Sequence, residues 1–258
     1  MTTARRIGFV STRFIGADGV SLETAKWARV LEQLGHTCFY FAGAADCPPD
    51  HCRVIPETLF THPDIHAIYE TAFSQRARPP EITRRIQQLK DNLKEQIYAF
   101  VRDFNVELLI PENALASPMN IPLGIALTEF IAETQIPTIA HHHDFFWERK
   151  RFLVNCVWDY LNMAFPPHLP SIRHVVINSS AANQLSLRTG ISSLLVPNVM
   201  DFDHPPPPLD DYARGARGAL GVAPTERMFL QPTRVVPRKG IEHALELIHR
   251  CGLAARLV

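Results

Sequence analysis

Short apolar runs recur along the chain, each bounded by polar or turn-forming residues. Residues 7–10, 38–41, 106–110, 138–141, 175–177, 194–196 and 228–230 are three to five residues long, which predicts buried strands rather than helices. Residues 257–258 read as the start of another. Between the runs the period changes to that of amphipathic helices. One helix is expected over 21–34, with Ser21 as its N-cap and Ala25, Trp27, Ala28, Leu31 and Leu34 turned inward. The clearest stripe is Ile82, Ile86, Leu89, Leu93, Ile97 and Phe100, which predicts a long helix over 81–104. Further helices are expected over 121–133, 148–161 and 210–220, with a short one after Ser179 and another carrying Ile241, Ala244, Leu245 and Ile248. Residues 44–80 are irregular and rich in Pro and His, and read as an insertion with one short helix.

Strands alternating with helices predict an α/β fold with a doubly wound parallel sheet. Four consecutive prolines, Pro205 to Pro208, form a stiff extended segment that marks a domain boundary. The expected division is a Rossmann-like domain over 1–203, with a helical insertion over about 55–104. The incomplete start of a second such domain follows over 204–258.

Composition narrows the function classes. The chain has 258 residues, and Lys plus Arg, 26, equals Asp plus Glu, 26, so no global field points to nucleic acid or an anionic membrane. No run of about eighteen apolar residues is present, so no transmembrane segment is expected. Five cysteines, at 38, 47, 52, 156 and 251, lack the spacing of a zinc site and read as reduced thiols in a cytoplasmic protein. The dinucleotide fingerprint is missing, since Gly16 and Gly19 are spaced G-x-x-G, which disfavours NAD. Those glycines still let backbone approach a phosphate or sugar closely, or simply make a turn.

The polar residues follow the strands. Gly16 and Gly19, Glu112 and Asn113, His143 and Asp144, Asn178 and Ser179, and Asn198 all come after the carboxyl end of a predicted strand, the edge where open α/β sheets bind ligands. Amide and charged groups there suit a hydroxyl-rich substrate. In the tandem His141-His142-His143, residues 141 and 143 share one face of a strand and 142 the other. A metal needs three or four convergent donors, and two from one strand leave the rest unidentified, so no metal is expected. Near the end, QPTRVVPRKGIEHALEL places Arg234, Arg238 and Lys239 between a strand and a helix. Backbone N–H groups, the helix dipole and three cations there suit a diphosphate, although an isolated RKG also fits a solvated basic loop.

The spacing RxxxxKGI before an amphipathic helix resembles the diphosphate-binding segment of retaining glycosyltransferases of family four. That family has two facing Rossmann-like domains. IGFVSTRFIGADGVSLETAKWARVLEQLGH resembles its opening strand, glycine loop and first helix. IPTIAHHHDFFW resembles its strand and cleft histidine, VVINSSAANQL its strand and helix before the crossover, and VPNVMDF its P-N-x-x-D junction. The resemblance implies transfer of a hexose from a nucleotide-diphosphate sugar to an acceptor hydroxyl, with no further cofactor. Arg234 and Lys239 would hold the leaving diphosphate, with Arg238, Gly16 and Gly19 beside it. His143, or its neighbour His142, would contact the transferred sugar. Glu112, Asn113, Asp144, Asn178 and Asn198 would line the acceptor cleft. The family's E-x7-E element has no counterpart before Val258, so the expectation is a complete acceptor-side domain, a truncated donor-side domain and impaired transfer. Two alternatives remain at this point: a non-catalytic sugar- or partner-binding remnant, and an NAD-dependent sugar oxidoreductase.

Overall fold

The computed structural model describes residues 3–258 except 201, 203 and 204, and only the backbone of Arg238. The boundary expected at residues 203 and 204 therefore lies outside the described residues. The chain divides into two compact units, Met1–Val199 and Met200–Val258.

In the first unit seven strands form one sheet: β1 (Arg6–Val10), β2 (Thr37–Ala42), β3 (Cys52–Val54), β4 (Leu108–Pro111), β5 (Thr138–His142), β6 (Ile172–Val176) and β7 (Ser193–Leu195). Their order is β3-β2-β1-β4-β5-β6-β7 and every pairing is parallel. Ile7 faces Cys38 on one side and Leu108 on the other, so β1 is an interior strand. The chain winds outward from β1 to β3, then returns past β1 to build the other half. That reversal puts the topological switch point, where such sheets bind ligands, between the carboxyl ends of β1 and β4.

The helices are α1 (Gly19–Gln33), α2 (Pro63–Ala72), α3 (Pro80–Asp103), α4 (Ile121–Thr134), α5 (Trp158–Ala164) and α6 (Ser179–Thr189). Alternation along the strands sorts the two faces. Val10, Phe39, Phe41, Leu109 and Ala140 join Leu93, Ile97, Phe100, Leu123 and Phe130 from α3 and α4 in one core. Ile7, Phe9, Cys38 and Ile110 meet Trp27, Ala28 and Leu31 of α1 on the other face. Gly8 has a packing reason, because a Cβ there would lie 2.8 Å from the Phe100 ring.

Several elements depart from the sequence expectation. The N-cap of α1 is Asp18, whose carboxylate accepts from the backbone N–H groups of Val20 and Ser21. Ala25 and Leu34 are exposed, Leu34 by 60%, so the inward stripe is Thr24, Trp27, Ala28 and Leu31. Residues 44–80 contain an edge strand, β3, as well as the helix α2. The helix expected over 148–161 is instead two 3₁₀ turns, Phe146–Glu148 and Lys150–Phe152, followed by α5. Asn155 explains the break: its side chain donates to the Phe152 carbonyl and accepts from the Val157 N–H, replacing helical bonds with local ones. Cys47 and Cys52 are joined as a disulfide, which overturns the reduced-thiol reading for that pair; Cys38, Cys156 and Cys251 are free.

The second unit pairs β8 (Arg227–Phe229) with β9 (Ala255–Leu257) in parallel, beside α7 (Asp211–Ala219) and α8 (Ile241–Cys251). On α8 Ile241, Ala244 and Ile248 are half-buried, whereas Leu245 is 57% exposed. Among the described residues no helix is long and apolar enough to cross a membrane.

Candidate functional site

Glu112, the residue that follows β4, stands at the switch point. Its N–H donates to the Val10 carbonyl and its own carbonyl accepts from the Ser11 hydroxyl, at 2.8 and 3.0 Å, so β1 fixes its backbone. The side chain is fully buried. One carboxylate oxygen, Oε2, accepts from His141 Nδ1 at 2.9 Å and from His143 Nε2 at 3.1 Å. Both histidines belong to β5 and its end, and the alternation of a strand delivers 141 and 143 to one side, as their spacing predicts. Trp27 of α1 stacks on the His141 ring with 4.4 Å between centroids.

Burial alone would raise the pKa of Glu112. Hydrogen bonds from His141 and His143, with their charge, outweigh it and leave the carboxyl below its ordinary value. Glu112 is thus a buried carboxylate that holds two imidazoles. The other oxygen, Oε1, and His141 Nε2 are buried without partners among the described residues. Donor atoms of Glu112, His141 and His143 all lie within 4.8 Å of one another, so Glu112 is the third convergent group that the sequence left unidentified. The 2.9 and 3.1 Å separations are those of hydrogen bonds.

Asn113 orients the loop beyond β5. It adopts a left-handed backbone with φ 57°, and its side-chain oxygen accepts from the N–H groups of His143 and Asp144. Its amide nitrogen donates to Asp144, whose second oxygen accepts from Arg149 at 2.7 Å. Glu112, Asn113, His143 and Asp144 are therefore brought together. His142 is not. It is 1% exposed, points to the opposite face and lies 2.9 Å from His174 Nδ1.

Each of the other expected residues has its own local setting. Asn178 is exposed and caps α6, accepting from the Ala181 N–H. Asn198 is exposed. Gly16 has φ 84°, a left-handed turn that suits glycine, while Gly19 begins α1. Asp18 shapes their loop by accepting from Arg13 as well as capping the helix. In the second unit Arg234 and Lys239 are exposed on the loop before α8. Gly240, at φ 61°, turns the chain into that helix, and the Gln231 side chain donates to the Lys239 carbonyl. The Arg238 side chain lies outside the described residues.

Sequence reasoning missed three contributors. His141 had no assigned partner, because its acceptor stands 29 residues earlier in the chain. Trp27 read only as core, and Arg149 lay within the wrongly expected helix. The shared face of 141 and 143 was the one available signal.

No family model matches the sequence. Curated relatives do. The chain is 30% identical over 246 residues to mannosylglucosylglycerate synthase of Petrotoga mobilis, covering 94% of this chain and 56% of that protein. It is 33% identical over 236 residues to the protein of the same name from Thermotoga maritima, covering 90% and 53%. The chain is similar to mannosylglucosylglycerate synthases. It spans about half the length of the curated relatives it matches. A glycosyltransferase structure from Rickettsia africae superposes with a TM-score of 0.56 at 12% identity, over all of this chain (100%) and 68% of that one. WaaG, a glycosyltransferase involved in lipopolysaccharide biosynthesis, gives 0.51 at 10% identity, covering 97% and 62%. These two likenesses show the Rossmann-like α/β fold.

Proposed function

We propose that the chain belongs to a glycosyltransferase that moves a mannosyl group from a nucleotide-diphosphate sugar to a hydroxyl of glucosylglycerate, with retention of configuration. The similarity to two mannosylglucosylglycerate synthases across 94% and 90% of this chain carries the reading. The polar cluster at the switch point supports it, since it lies where an α/β sheet receives a hydroxyl-rich ligand.

In that reaction the acceptor hydroxyl attacks the anomeric carbon on the face the diphosphate leaves. The sugar–phosphate bond breaks as the glycosidic bond forms, and the acceptor proton passes to the departing phosphate oxygen. Arg234 and Lys239 meet the negative charge that grows on the diphosphate, which is electrostatic stabilisation rather than base catalysis. His143, held by Glu112 and the Asn113 side chain, positions the transferred sugar. Gly16, Gly19 and Asp144 border the same edge.

Mannosylglucosyl-3-phosphoglycerate synthase of Petrotoga mobilis is 32% identical over 138 residues, covering 48% of this chain and 26% of that protein, so a phosphorylated acceptor is the second substrate to test. The experiment incubates the product of the whole gene with nucleotide-diphosphate α-mannose and either glucosylglycerate or its 3-phosphoglycerate counterpart. An α-linked mannosyl product on glucosylglycerate, read by NMR, is expected. A β linkage overturns retention, product on the phosphorylated acceptor alone overturns the acceptor, and no product with either overturns the reading.

A further inference from the structure

The reaction proposed above leaves one charge without a partner. Its acceptor, glucosylglycerate, carries a carboxylate, and the polar cluster after β4 and β5 already holds the carboxylates of Glu112 and Asp144. Like charges set side by side repel, so an anionic acceptor needs a cation at that edge.

Arg149 is the cation that the cluster contains. The 3₁₀ turn after β5 folds it back, with its backbone N–H donating to the Phe146 carbonyl. Its Nε donates to Asp144 Oδ2 at 2.7 Å, and Asp144 Oδ1 accepts from Asn113 Nδ2 at 2.9 Å. The Asn113 side-chain oxygen in turn accepts from the His143 N–H, so Arg149 joins the hydrogen-bonded chain that fixes His143. A guanidinium is a planar fork of N–H donors, and Asp144 takes only the one on Nε. Nη1 and Nη2 have no partner among the described residues and are not buried; the side chain is 29% exposed. Two other arginines on nearby loops are engaged elsewhere. Arg13 pairs with Asp18 and lies over the Phe60 ring, and Arg151 donates to the Met119 sulfur and stacks on Phe152. Neither is bonded to Asn113, His143 or Asp144.

We infer that Arg149 binds the carboxylate of the acceptor through Nη1 and Nη2, and so makes the site select an anionic acceptor over a neutral one. This assignment rests on the transfer reading above. The Asp144 contact at Nε sets the plane of the guanidinium, and a planar fork meets a planar carboxylate with two parallel N–H···O bonds. A lysine carries the same charge without that geometry.

The test assays the product of the whole gene for mannosyl transfer to glucosylglycerate and to glucosylglycerol, in which a neutral hydroxymethyl group replaces the carboxylate. The wild type should prefer glucosylglycerate. Arg149→Ala should raise the KM for glucosylglycerate about 10- to 100-fold, the effect of a lost charge-assisted pair. The donor KM should change far less, and the two acceptors should become level. Arg149→Lys should recover part of the preference. Calorimetry on the same proteins without donor reads acceptor binding directly, and the same preference, lost in Arg149→Ala, is expected there. An equal loss on both acceptors marks a structural role and overturns the assignment while the transfer reading stands. An Arg149→Ala enzyme that keeps the wild-type preference overturns it as well. A wild type that transfers to neither acceptor overturns the transfer reading, and calorimetry then judges Arg149 alone: a binding preference that Arg149→Ala loses upholds the assignment, and its absence from the wild type overturns it.

Discussion

Glu112 is the residue on which the candidate site depends, because two imidazoles converge on one of its oxygens. Glu112→Ala leaves both donors facing a buried void. Unfolding by urea should show a loss of about 3–5 kcal/mol, the range for breaking a buried pair. Glu112→Gln keeps an acceptor and should cost less. The titration of these residues also sets a pH dependence. Glu112 has a folded pKa below its ordinary 4.5, so its contribution is present above that value and is lost as pH falls through the lowered one. His142 and His174 act over a higher window. Their folded pKa values lie below 6.5, so the unfolded chain takes up protons first and stability falls as pH drops from 6.5 toward about 4. Urea midpoints at pH 7 and pH 5 should differ, and the double variant His142→Phe with His174→Leu should narrow the gap. At this scale the sequence was half legible. Alternation placed 141 and 143 together and 142 apart, but spacing carries no information that Glu112 is their acceptor or His174 the partner of His142.

Among elements, α4 shows how packing overrides propensity. Gly124 lies inside the helix, where alanine is ordinarily favoured by about 1 kcal/mol. A Cβ at that position would stand 2.2 Å from the Phe165 ring, too close for that ring to remain in place. Gly124→Ala should therefore lower stability by about 1–3 kcal/mol, as overpacking does, and a raised melting temperature would contradict the packing seen here. At the start of α1, Asp18→Ala should cost about 1 kcal/mol through the lost cap. Legibility differed for physical reasons. α3 was plain in the sequence because its one apolar stripe is buried along its length, Ile86 and Leu89 in one cluster and Leu93, Ile97 and Phe100 in another. The stretch after residue 148 misled because Asn155 makes local hydrogen bonds that periodicity cannot register. β3 was hidden because an edge strand of three residues has too little pattern to show.

For the whole molecule, the alternation of strands and helices led to the parallel sheet, and the sheet places Glu112 at its switch point. The proposed transfer adds two requirements: a fixed histidine at the carboxyl edge and a cationic loop for the diphosphate. Lys239→Ala removes one charge-assisted contact from an exposed side chain, so kcat/KM should fall about 10- to 100-fold while the melting temperature holds. The most direct test replaces His143. Mannosyl transfer to glucosylglycerate is followed by mass spectrometry for the wild type and for His143→Ala, with circular dichroism confirming that both are folded. In the variant kcat/KM should fall by about 100-fold or more, the cost of misplacing a bound sugar. A folded His143→Ala protein that transfers mannose at the wild-type rate would contradict it.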